Sequence, residues 1–123
     1  METNETIASI ANDVRVLMRD VPTELNPTPH YADETIYAGI KEGFKHMWAV
    51  RPSSRYIHGV ILDQPIPSEG ATIAETAVFF DERWRRGVVY YAAAICYETG
   101  TPDTVNIQMA NYFKQQADAV FAS

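Results

Sequence analysis

The stretch DERWRRGVVYYAAAICYETGTPDTVNIQMANYFKQQADAVF, residues 81–121, decides the fold. Its first half predicts a helix from about residue 81 to residue 98. Trp84, Val88, Tyr91, Ala92, Ile95 and Cys96 recur at three- and four-residue spacing, the period of one helix face. Val89, Tyr90, Ala93, Ala94 and Tyr97 leave this helix almost no polar side. A helix apolar nearly all round is central in a bundle or is covered by a partner. Gly100 supplies a left-handed residue to end it. Thr101 then caps a second helix, Pro102 suits its first position and Asp103 offsets its macrodipole. Val105, Met109, Tyr112, Phe113, Ala117, Val120 and Phe121 mark the buried side of that helix. The short turn between them, residues 99–102, makes the pair an antiparallel hairpin.

Two more helices precede the hairpin. Ile36, Ile40, Phe44, Met47 and Trp48 share a face, with Tyr37 beside them, so a helix runs from an N-cap at Asp33 to about Val50. Pro52 pushes Arg51 out of helical space and stops it. Gly39 and Gly43 lie on one flank; either the helix tolerates them, or another backbone comes close there. Ile7, Ile10, Val14, Leu17 and Met18 form the stripe of a first helix, from about Thr6 to Arg19. Pro22, Asn26, Pro27 and Pro29 break the chain between these two helices.

Residues 51–80 read differently. Pro52, Gly59, Pro65, Pro67 and Gly70 interrupt them, and their apolar residues cluster in the β-prone run 56–62. From Asp63 to Glu82 the chain has Asp63, Glu69, Glu75, Asp81 and Glu82 but no lysine or arginine. The expected architecture is thus mainly α. One domain, residues 1–123, holds a small bundle of about four main helices, with a long irregular or β-prone arm at about 51–80.

Composition excludes several functions. A chain of 123 residues buries one core. Its formal charge of −6 repels a phosphate backbone, so nucleic-acid binding as the main task is disfavoured. The single cysteine excludes an intramolecular disulfide framework. The first residues have no basic segment followed by an apolar core, so no signal peptide is read there. The longest apolar stretch, residues 88–97, is about half of the ~20 residues a spanning helix needs, and no membrane association is expected.

No residue pattern points to catalysis. His30, His46 and His58 are far apart and form no metal-ligand spacing. Cys96 could pair with a histidine as a nucleophile, but it sits in the most apolar helix, where a thiol packs as a small hydrophobe. No nucleophile elbow, phosphate loop or dinucleotide fingerprint occurs. Asp33–Glu34 and Asp81–Glu82 stand at helix starts, where negative charge is favourable anyway. No enzyme, cofactor or metal is expected.

Protein contacts are more legible. Arg83, Arg85 and Arg86 form one basic cluster, Arg51 and Arg55 another. Acidic arms meeting these arginines on a second copy would favour a ring or chain; solvated surface charge is the plainer alternative. Tyr56, Ile57, Val60, Ile61 and Leu62, apolar within a loop, complete the expected protein interface with Arg83, Arg85 and Arg86.

The order of parts resembles the small head–tail connector (adaptor, or neck) proteins of tailed double-stranded DNA bacteriophages. The resemblance rests on YADETIYAGIKEGFKHMWAVRPSSRY, with Tyr31, Asp33, Ile36, Ile40, Gly43, Arg51 and Pro52 in place. It continues in the hairpin at Tyr91, Ala94, Tyr97, Asp103, Asn106, Ala110, Tyr112 and Phe113. It implies a virion protein of the neck region, present in host cytoplasm during assembly. Such a protein forms a ring, usually of twelve copies, beneath the portal protein, docks tail or neck components and lets DNA pass without specific binding. A negative lumen would suit that passage. A small cytoplasmic helical regulator of the antitoxin kind, binding a partner through an apolar groove, is the alternative.

Overall fold

The computed structural model describes residues 2–20, 30–57, 60–61, 77–99 and 104–122, and the surroundings of the side chains at 6–20, 30–54, 82–99 and 105–122. Four helices dominate: α1 (Ile7–Met18), α2 (Asp33–Val50), α3 (Arg85–Thr99) and α4 (Thr104–Ala122). The mainly α bundle expected from the apolar periodicities is the observed one.

The helix α3 is the centre. It packs against α4, α2 and α1, and it buries Val88, Val89, Ala92, Ala93, Ala94 and Cys96. The apolar excess on this segment has its cause here: three helices need three apolar flanks. Against it lie Ile7, Ile10 and Val14 of α1, Ile36, Ile40, Phe44 and Met47 of α2, and Phe113, Ala117 and Phe121 of α4. Gly39 and Gly43 belong to the close-approach reading. A Cβ on Gly39 would stand 2.8 Å from the Ala92 carbonyl oxygen, and one on Gly43 3.0 Å from that of Val88. The α2–α3 seam therefore brings backbone against backbone.

The helix ends differ from expectation in instructive ways. Thr6 is the N-cap of α1, its hydroxyl accepting the Ser9 N–H at 3.3 Å. Arg19 ends α1 in the left-handed region (φ 58°), and the Asp20 N–H donates back to the Arg15 carbonyl at 2.8 Å. Asp33 is not the N-cap of α2. Ala32 is, with no side-chain cap bond, while Asp33 opens the helix and gives its carboxylate to Arg15. A charge-assisted bond to a guanidinium outcompetes a bond to the local backbone. Similarly, α3 starts later than residue 81. Asp81 closes a strand and Glu82–Trp84 forms one 3₁₀ turn before the helix proper.

That strand, Ala77–Asp81, pairs antiparallel with Glu2–Thr6, from Glu2 opposite Asp81 to Thr6 opposite Ala77. Tyr56–Ile57 and Val60–Ile61 form a second short ladder. Pro52–Arg55 forms a 3₁₀ turn at the start of the expected arm. Residues 58–59 and 62–76 of it, Leu62 included, and the turn signals Gly100 to Asp103 lie outside the described residues.

Candidate functional site

Arg15 sits on the buried side of α1, with 8% of its surface exposed. It donates to Asp20 at 3.1 Å, to the Tyr31 carbonyl at 3.0 Å and to Asp33 at 2.6 Å. Asp20 also accepts the backbone N–H groups of His30 (2.7 Å) and Tyr31 (3.0 Å). This clasp joins the end of α1 to the start of α2. A buried cation is tolerable only when its donors are met, and here they are. Beside the clasp opens a cavity of about 420 Å³, bordered by Arg19, His30, Tyr31, Tyr97 and Asn106.

A second cluster bridges α2, α3 and α4. His46 Nε2 lies 2.6 Å from Asp118 Oδ1, and its ring stacks on Tyr91 with centroids 4.3 Å apart. Lys114 pairs with Glu98, whose hydrogen bond holds the ammonium above the usual lysine range. It also lies 6.0 Å from the Tyr91 centroid. A His–Asp pair is part of a hydrolytic triad, but this one adjoins a stacked ring rather than a thiol. Cys96 points elsewhere, its thiol donating to the Thr35 carbonyl at 3.9 Å. Burial pushes that thiol up to about 12, so it is no nucleophile at neutral pH. The cluster works as an inter-helix tie. A third tie runs from Arg51 Nε to the Phe121 carbonyl, where a cation meets the negative end of α4.

The expected arginine cluster is arrayed around the start of α3. Arg85 pairs with Asp13 of α1 at 2.6 Å, which occupies it within the chain. Arg83 lies 4.5 Å over the Trp84 ring and Arg86 5.5 Å from the Tyr90 centroid. Trp84 itself is buried and its indole N–H has no hydrogen-bond partner among the described residues. Tyr56, Ile57, Val60 and Ile61 lie in the second ladder, with Tyr56 opposite Ile61 and Ile57 opposite Val60; their side chains lie outside the described residues.

One feature of α4 was misread from sequence. Val105 and Tyr112 are not on its buried side: they are 65% and 53% exposed, and Ile107 is 56% exposed. The buried arc holds Ala110, Phe113, Ala117 and Phe121, with Met109 and Val120 at its margins. The expected stripe was wider than α3 can cover. The surplus faces outward among Gln108, Asn111, Gln115, Ala119 and Ala122, all exposed. The signal available in the sequence was the run of amides Gln108, Asn111 and Gln115 on that side of the helix.

Among the described residues, no three His, Cys, Asp or Glu side chains could together hold a metal ion. None of the described helices is long and apolar enough to cross a membrane. No family model, no curated protein and no solved structure matches this chain.

Proposed function

We propose that the chain is a non-catalytic subunit that acts by binding proteins, as a head-to-tail connector in the neck of a tailed double-stranded DNA bacteriophage. In this reading copies form a ring beneath the portal protein, dock tail or neck components and leave an acidic channel through which DNA passes unheld. The observation that carries the protein-binding part is the outer face of α4, where Val105 and Tyr112 stand exposed among uncharged neighbours. Interface cores are depleted in charge and enriched in tyrosine. The polar clusters add support: Arg15, His46, Arg51 and Lys114 each join two parts of the bundle. The connector part rests on the resemblance of the helical segments quoted above.

Affinity purification of the tagged chain from cells producing its native partners tests this reading. Recovery of a portal ring and tail proteins in stoichiometric amounts is the expected result. Recovery of one small host protein instead would move the chain to the second reading, a cytoplasmic helical regulator. That alternative draws on the same observation, since one exposed helix face also suits a single groove-shaped partner.

A further inference from the structure

The outer arc of α4 carries Val105, Gln108, Tyr112, Gln115, Ala119 and Ala122, all exposed and none with a formal charge. Their three-then-four spacing is that of a seam between two helices. The charged residues of α4, Lys114 and Asp118, stand off this arc and are engaged by Glu98 and His46. By contrast α2, in the same chain, exposes Asp33, Glu34, Glu42 and Lys45. The neutrality of α4 is therefore local.

Size along the arc points to the occupant. The large residues Val105, Gln108 and Tyr112 fill its first half, and Ala119 and Ala122 its end. We infer that α4 pairs antiparallel with α4 of a second copy, about a two-fold axis between positions 113 and 114. That register sets Val105 against Ala122 of the second copy and Gln108 against Ala119, so large meets small toward both ends, and it brings Tyr112 against Gln115 beside the axis. A parallel pair would crowd one end and leave a gap at the other. The contact also lets two chains of charge −6 meet where neither bears charge. The seam is ~28 Å long and ~10 Å wide, a few hundred Å² per copy against the ~800 Å² of a standard interface. The pairing is accordingly weak and reversible, and it does not depend on the connector reading.

The test uses the full chain with Cys96→Ala. Sedimentation equilibrium from micromolar to millimolar concentration should show monomer giving way to dimer. Tyr112→Glu, at an exposed position, should weaken association at least tenfold while leaving the thermal midpoint and circular dichroism unchanged. The double variant Gln108→Cys with Ala119→Cys should give a covalent dimer on mild oxidation, and neither single variant should. Within one helix these positions are about 16 Å apart and cannot bridge. A chain that stays monomeric throughout overturns the inference. So does cross-linking by either single variant, which means parallel pairing, or an assembly that Tyr112→Glu leaves intact.

Discussion

Arg15 ties α1 to the start of α2 through Asp20, the Tyr31 carbonyl and Asp33, and the cost of removing it comes from what it leaves behind. Arg15→Met keeps the packing of the stem but strips a buried Asp20 of its cation. A loss of about 2–4 kcal/mol in urea-induced unfolding is expected. Asp33→Ala, at a carboxylate mostly in water, should cost less than about 1 kcal/mol. Arg19 presents the reverse case. Its φ of 58° suits glycine, so Arg19→Gly should raise stability by roughly 0.5–1 kcal/mol, seen as a higher thermal midpoint. Cys96 sets a pH dependence. Its folded pKa lies above the unfolded value because burial disfavours the thiolate. The unfolded chain therefore loses the proton first, and stability falls as pH rises from ~8.5 toward the folded value. Cys96→Ala should flatten that alkaline decline in denaturation midpoints measured across the window.

At the scale of elements, the α2–α3 seam and the α4 surface respond oppositely to added bulk. An exposed helical Gly→Ala change gains about 1 kcal/mol. At Gly39 the new methyl group would meet the Ala92 backbone, which cannot rotate aside. Overpacking costs about 1–3 kcal/mol, so Gly39→Ala should lower stability on balance, as measured by chemical denaturation. On the outer arc of α4 the same enlargement meets solvent in the monomer. Ala119→Leu should leave monomer stability within about 0.5 kcal/mol. The C-terminal end of α4 is tied by Arg51, through the Phe121 carbonyl, and by His46, through Asp118.

For the whole molecule, salt separates two modes of self-association. Pairing of acidic arms with arginines would weaken as salt screens it. Pairing through the neutral α4 face should strengthen with salt, because screening relieves repulsion between chains of charge −6. Sedimentation at low and high salt should show the dimer favoured at high salt. The intramolecular Arg85–Asp13 pair already removes one arginine from the charge-driven mode.

The sequence by itself determined the helices and the identity of the centre. Periodic apolar residues locate α1, α2 and α4, and the nearly unbroken apolar surface of α3 announces that it is enclosed, because each follows from local spacing. It also kept Cys96 in the core, since a thiol amid alanine, isoleucine and valine has no polar neighbour to activate it. Only the tertiary structure decided between the two readings of Gly39 and Gly43, which required knowing that the α3 backbone lies against them. It alone showed that Asp33 serves Arg15 rather than its own helix end, a competition between groups 18 residues apart. It alone put Val105 and Tyr112 outside. A periodic stripe tells which residues share a face, but how much of that face is covered depends on the width of the helix packed against it.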